Sequence, residues 1–341
     1  MSDIEKRLRN IGVEIPNILL PKKGTDLKKW AVVACDQFTS EKSYWEDVSK
    51  YVGDAPSTLK LIFPECYLED SDPEKRIESI NSEMSRYVSG NLFDEFPKSF
   101  FLVKRTCTGK SPRWGLMAAL DLDQYSWDKG SRSLIRATEG TIMSRIPPRK
   151  AIRKDAPLEL PHILVLISDA KRQIIEKLAS KTDELEKAYS TELMENGGNI
   201  EAWIVNKPED LETVASGFED LYNSLDPQNK LLFAMGDGNH SFATAKSCWE
   251  DIKKNLTVEQ QENNPARFCL VELENIFDEG LEFEPIHRVL FKTSLSAVVK
   301  SLSNYCSSYE LEKENDLESV HKKINEGSEQ RFGLCDGKDY F

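Results

Sequence analysis

The chain has 341 residues, 45 of them basic and 58 acidic, for a formal net charge of −13. Hydrophobic residues make up 39% and aromatics 9%, the balance of a core-forming chain rather than a disordered one. This composition disfavours a nucleic-acid-coating protein, whose phosphate partners need local positive charge, and it also disfavours a membrane protein and a disulfide scaffold.

The longest wholly apolar stretch, Ile163–Ile167, falls far short of the roughly 20 residues a spanning helix needs. The start, Met1-Ser-Asp-Ile-Glu-Lys-Arg7, has no apolar signal region, and the seven cysteines include no CxxC pair, so a cytoplasmic location with reduced thiols is expected. Length gives a prior of about two domains. The organisation expected is an N-terminal α/β portion over 1–130, a ligand-binding core over 131–292 and a C-terminal portion over 293–341.

In chain order, residues 2–10 read as a helix and Trp30–Ala34 as a short strand. Helical spacing recurs over 40–52 and 73–90, the second opened by Ser71-Asp-Pro-Glu74. Ser99–Val103 and Trp114–Leu120 read as paired strands joined through Gly109-Lys-Ser-Pro112. Residues 131–155 then carry seven basic side chains against two acidic ones. That local charge of +5 leaves −18 for the rest of the chain. Prolines 147, 148, 157 and 161 predict an irregular segment here rather than a helix. Strands are expected at 163–167, 202–205, 231–235 and 268–273, and helices over 170–189, 208–225, 240–255 and 295–306. The alternation predicts a mixed α/β layered, α+β architecture. Asp336-Gly337 is a type I′ hairpin signal with four residues after it, as if the chain stopped partway through a domain.

The sharpest motif is Met235-Gly-Asp-Gly-Asn-His-Ser241, where an apolar strand runs through two glycines into a helix. Gly236 and Gly238 permit left-handed backbone and close approach, and Asn239 or Ser241 is expected to cap the helix. Free N–H groups at a helix N-terminus favour phosphate. Asp237 is suited to Mg²⁺ or to accepting a hydroxyl proton, and His240 to orienting a phosphate. The ending is neither Gly-Lys-Ser/Thr nor a full GxGxxG, so a plain strand-to-helix turn is an even competitor. Arg136, Arg145, Arg149 and Arg153 are fork-shaped phosphate binders in an otherwise acidic chain, although charge runs are usually solvated loops. Glu284-Pro-Ile-His287-Arg288 offers an anion-binding pair or an ordinary salt bridge. Asp36 follows a predicted strand, where ligands commonly bind or a carboxylate caps a loop. Glu139 is a reserve carboxylate. Glu159-Leu-Pro-His162 reads as a core histidine with a polar partner. The spacing of His162, His240, His287 and His321 predicts no metal cluster, and no GxSxG elbow is present.

Taken together and in order, Trp30–Ser40, Arg136–Thr141, Arg145–Arg149, Leu158–His162, Gly236–Ser241 and Pro285–Arg288 resemble the family catalogued as domain of unknown function 1015, from about residue 16 onward. That family is similar in turn to the ParB/sulfiredoxin superfamily, which includes free serine kinase. The resemblance implies a ParB/sulfiredoxin-like core binding ATP or ADP with Mg²⁺ at the Asp237–Ser241 turn. Asp237, Gly238 and His240 match the family's Asp-Gly-His-His-Arg pattern, while Asn239 and Ser241 depart from it and remove its arginine.

The leading expectation is a nucleotide-binding phosphotransferase acting on a free metabolite such as an amino acid. In it, amides at 238–241 and the arginine segment hold phosphate. The competing expectation is a nucleotide-gated interaction protein with little turnover. A thiol activity at Cys35 ranks last. A phosphorylated small ligand is the expected partner, with nucleic acid and membrane disfavoured.

Overall fold

The computed structural model describes residues 1–282 and 287–341. The chain forms two compact units, Met1–Glu282 and Phe283–Phe341, so the division falls at 282/283 rather than at 130 and 292.

The strands of the first unit are β1 (Val13–Glu14), β2 (Ile18–Pro21), β3 (Phe93–Phe96), β4 (Phe100–Thr106), β5 (Arg113–Asp121), β6 (Tyr125–Ser126), β7 (Ile135–Arg136), β8 (Leu164–Ile167), β9 (Glu186–Glu192), β10 (Asn199–Val205), β11 (Phe233–Asp237) and β12 (Phe268–Asn275). Its helices are α1 (Asp3–Asn10), α2 (Leu27–Trp30), α3 (Lys42–Val52), α4 (Pro73–Ser89), α5 (Ile146–Arg153), α6 (Ile175–Ala179), α7 (Pro208–Ser224), α8 (Asn239–Lys253) and α9 (Val258–Asn263). The second unit holds α10 (Leu295–Leu302) and α11 (Leu317–Ile324).

One mixed sheet runs β6-β7-β11-β8-β12-β5-β4-β10-β9, with β1 added against β5, and β2 pairs with β3 separately. Strands from both sides of residue 130 therefore share one sheet, and the α+β architecture holds. Residues 100–103 of β4 are buried on both faces. Phe100 and Leu102 join the main core with Leu116, Leu120, Phe218 and Trp249. Phe101 and Val103 face a second cluster with Ile18, Ala202 and Ile204. Each large apolar side chain removed from water contributes about 1.5–3 kcal/mol, so β4, packed on both sides, anchors the sheet.

Four expectations are corrected. Trp30–Ala34 is not a strand. Asp26 accepts from the N–H groups of Lys28 and Lys29 and starts the short helix α2, and the residues after it pair with no strand. The helix predicted over 170–189 shrinks to Ile175–Ala179 and is followed by β9, an edge strand whose polar side chains hide its period of two. Residues 146–153 do form a helix, because Pro147 and Pro148 lie in its first turn, where the missing N–H costs no intrahelical bond. The hairpin at 336–337 forms, with Leu334 and Phe341 exchanging backbone bonds. Only Gly337 of its turn has positive φ, at 93°, whereas type I′ needs two such residues.

Sheet register also creates a buried ionic cluster. Glu274 of β12 lies opposite Gly115 of β5. A side chain at 115 would put its Cβ 2.2 Å from Glu272 Oε1, so glycine there makes room for the carboxylates. Arg113 Nε stands 2.7 Å from Glu274 Oε1, and its Nη2 3.4 Å from Glu272 Oε1. Burial, and then the neighbouring Glu272 carboxylate, push the Glu274 carboxyl from its ordinary 4.5 up to about 8. The folded state thus holds this proton more tightly than the unfolded chain. That contribution is complete below about pH 4.5 and is lost as pH rises through about 8. Glu274→Gln should flatten the decline in stability between about pH 4.5 and about pH 8, by on the order of 1–2 kcal/mol in denaturant titrations. An unchanged slope would contradict the assignment.

Candidate functional site

The site is built where β11 passes into α8. Gly238 adopts the left-handed conformation at φ 79° and serves as the helix N-cap. A Cβ there would meet Ile163 Cγ1 at 3.1 Å and Ile163 Cα at 3.2 Å, so both backbone and space require glycine. Asp237 Oδ1 accepts from the Gly238 N–H at 2.8 Å, and the rest of its side chain is exposed.

The expected side-chain cap is absent. Asn239 turns away from its own helix: its Oδ1 accepts from Thr138 N at 3.1 Å and its Nδ2 donates to Thr138 Oγ1 at 3.3 Å. Thr138 Oγ1 then donates to Met235 O at 2.7 Å. Ser241 Oγ pairs instead with His162 Nε2 at 2.8 Å. Among the described residues, the first-turn N–H groups of α8 are therefore left without intrahelical or side-chain acceptors, at the positive end of the helix dipole. The helix itself is held firmly. Phe242 packs edge-on to Tyr125 with ring centroids 4.8 Å apart, and the fully buried Trp249 donates to Asp123 Oδ1 at 3.0 Å.

The arginine segment comes to this helix. Helix α5 packs along α8, with Lys150 Nζ 2.5 Å from Asp251 Oδ2 and donating to Ser247 Oγ at 3.0 Å. Of the four arginines expected to bind phosphate, two act at the α8 terminus. Arg145 and Arg149 both bear on His240 electrostatically. Arg149 donates to Glu65 Oε1 at 2.5 Å, while Arg145 is exposed and its guanidinium has no carboxylate partner among the described residues. Arg136 serves structure instead, donating to the carbonyls of Ser133 and Lys230, and Arg153 pairs with Glu159 at 2.5 Å. Neither lies free to take a ligand.

His240 is buried, and its Nε2 accepts the N–H of Ile142 at 3.1 Å. Its Nδ1 lies 3.7 Å from Glu139 Oε1, a largely exposed carboxylate. Burial, and then the Arg145 charge, hold this imidazole below its ordinary value. The neutral ring therefore carries its proton on Nδ1, and Nε2 fixes the 138–142 loop.

Asp36 comes near this turn, within electrostatic reach of His162 and Asp237. Its Oδ1 is buried with no hydrogen-bond partner. Burial, aided by the carboxylates of Asp237 and Glu65 and opposed by His162, raises its carboxyl above the ordinary range. A buried carboxylate near a second one is a natural proton acceptor. Among the described residues, no three His, Cys, Asp or Glu side chains converge into a metal cage. Burial, and then Asp36 and Glu65, push the Cys35 thiol up to about 12, which removes the thiolate that a redox role requires.

The structure thus gathers Asp36, Glu139, Arg145, Arg149, Gly236, Asp237, Gly238, Asn239, His240 and Ser241. His162 and Glu65 belong with them and were not expected; their partners are distant in sequence, and only the Pro161-His162 step before a strand hinted at one of them. His287 and Arg288 belong to the second unit and are exposed, while Glu284, Pro285 and Ile286 lie outside the described residues.

The strand-to-helix turn, with Arg145 and Arg149 acting on His240 and with Asp36 near Asp237, belongs to a mixed α+β protein. The chain belongs to the family described as Protein of unknown function (DUF1015), which matches residues 19–341. Neither the curated proteins nor the solved structures contain a match to it.

Protonation of His240 ends its acceptance from Ile142. Because the folded-state value lies below the ordinary 6.5, the stabilisation is complete above that pH and lost as pH falls beneath it. The Ile142 amide should exchange hydrogen faster at about pH 5 than at about pH 7, after correction for intrinsic rates, and His240→Leu should erase the difference. Equal protection at both pH values would contradict the assigned tautomer.

Proposed function

We propose that the chain binds a nucleoside triphosphate or diphosphate at the N-terminus of α8 and transfers a phosphoryl group to the hydroxyl of a small molecule. The observation that carries this reading is an uncapped helix terminus with Arg145 and Arg149 acting on its first-turn His240 and with Asp36 near Asp237. Phosphoryl transfer asks a protein mainly for positioning and charge neutralisation, and these groups supply both. The Asp-Gly-x-His turn, Asp237 to His240, supports a distant relationship to the ParB/sulfiredoxin and free serine kinase proteins.

The geometry supports the following roles. The amides of Asn239, His240 and Ser241 and the guanidinium of Arg145 receive phosphate oxygens. Arg149, anchored on Glu65, adds positive field. His240 Nδ1–H donates toward the same anion, and its Nε2 holds the loop that carries Glu139. Asp237 would hold Mg²⁺ together with phosphate oxygens, and the metal would neutralise charge on the transferring group. Asp36 takes the acceptor's proton. The acceptor oxygen bonds to phosphorus, and the bond to the bridging oxygen breaks. The nucleotide leaves with one phosphate fewer.

One observation favours the second reading, a nucleotide-gated switch without turnover: position 241 holds a serine engaged by His162 rather than an arginine free to grip phosphate.

Thermal-shift titration with ATP, ADP and CTP plus Mg²⁺ tests the binding. Stabilisation is expected with at least one nucleotide, and Arg145→Ala should weaken that affinity about tenfold, the size of one lost charge-assisted contact. Asp36→Asn should lower transfer by about 100-fold or more while preserving nucleotide binding. Stabilisation without transfer to any hydroxyl acceptor would establish the switch instead, and no stabilisation by any nucleotide would overturn both readings.

A further inference from the structure

An open cleft of about 1040 Å³ lies between one face of the large sheet and the segments around residues 30–35 and 153–162. Its floor is apolar and crosses four neighbouring strands: Ile200 of β10, Phe101 of β4, Met117 of β5 and Leu270 of β12. Neighbouring strands stand about 4.8 Å apart, so the floor spans about 14 Å of the sheet. Trp30 and Leu158 line the cleft from the facing segments. The volume is that of a small-molecule site, and the length suits an extended occupant rather than a compact one.

Charge is unevenly placed along the wall. At the Leu270 end, Arg153 pairs with Glu159, whose other oxygen accepts the Leu270 N–H at 3.1 Å. Lys154 follows Arg153 and lines the same cleft. Among the described residues, the carboxylate that reaches Lys154 is its sequence neighbour Asp155, at 3.7 Å and outside the lining. Their side chains are 60% and 69% exposed, so that pair is weak and leaves the ammonium available. Two cations therefore stand with one carboxylate at this end. The other charges on the wall are held locally: Arg9 and Lys98 pair with Glu14, and Lys98 also with Glu5. At the Ile200 end the lining is uncharged, with Thr191 paired to Ile200 across the strands and the Tyr189 phenol kept neutral by burial.

We propose that this cleft binds a long-chain carboxylate, with its head at Lys154 and Arg153 and its hydrocarbon body laid along the floor toward β10. A staggered chain of bonds of about 1.5 Å advances about 1.3 Å per carbon, so the floor takes roughly a dozen carbons. Each methylene on the floor leaves water, and affinity therefore rises with chain length. Two cations with one carboxylate favour an anionic head over a neutral or cationic one. The head uses neither Asp36 nor the first turn of α8, so the proposal stands apart from the phosphoryl-transfer reading.

Equilibrium dialysis of the full chain against radiolabelled dodecanoate, hexanoate, dodecanol and dodecylamine, below micelle-forming concentrations, tests the site. Dodecanoate should bind saturably and tightest of the four, by at least about tenfold over hexanoate. Lys154→Glu should weaken dodecanoate about tenfold and leave dodecanol unchanged, as expected for one lost charge-assisted contact at an exposed side chain. Met117→Trp, which fills the floor, should weaken dodecanoate and dodecanol alike while leaving the melting temperature within a few degrees. Ala119→Phe, also on the lining, provides a second occluding variant should Met117→Trp fail to fold. Absence of saturable binding, hexanoate binding as tightly as dodecanoate, tighter binding of the alcohol or the amine, or insensitivity to Lys154→Glu or to both occluding variants would overturn the proposal.

Discussion

The site depends on a helix that its own side chains leave open. Asn239 stands one residue into α8, within reach of its first turn, but its amide is fully used by Thr138. Ser241 is held by His162. With both polar side chains engaged elsewhere, the first turn keeps its donors, and the dipole favours an anion in front of them. The same contacts bring the distant parts together. Thr138 carries the loop with Glu139 and Ile142, which lands on His240 Nε2, and His162 brings the start of β8 and the Asp36 side of the site. Gly238 is the pivot, because only a residue without Cβ fits against Ile163 at positive φ.

The electrostatics are local rather than global. A net charge of −13 describes a surface that repels polyanions. Within it, the basic segment is not a uniform patch. Arg136 and Arg153 are bound to carbonyls and a carboxylate, Lys150 ties α5 to α8, and Arg149 is anchored on Glu65. What remains at the terminus is Arg145, one anchored neighbour, and a neutral His240. Asp36 is near enough to Asp237 and Glu65 that their carboxylates, after burial, raise its carboxyl.

Much of this was legible before the fold. The strand, the two glycines and the amphipathic helix at 235–253 announce themselves because their signals are local: apolar runs, punctuation and a 3.6-residue period. The paired strands of β4 and β5 and the long helices α4 and α7 are legible for the same reason. What failed was competition between local signals and partners far away. Trp30–Ala34 is apolar enough for a strand, but no neighbour pairs with it. Lys187, Ser190 and Glu192 make β9 look like surface helix, although β10 pairs with it. Pro147 and Pro148 read as breakers when they were first-turn residues. At the site, Asp237 and Gly238 were identifiable by their turn. The meeting of Asp36 with His162, or of Arg149 with Glu65, spans 84 residues or more and leaves no trace in spacing. Asn239 was read as a cap because such residues cap helices; a better partner in Thr138 prevailed.

The central claim is that the open first turn of α8 is where phosphate binds. Titrating ¹⁵N-labelled protein with inorganic phosphate, and then with ATP, while following backbone amide shifts tests it most directly. The expected result is saturable, phosphate-dependent movement led by the amides of Asn239, His240 and Ser241, and lost when Arg145 is replaced by Ala. Saturable shifts that leave those three amides unmoved would contradict it.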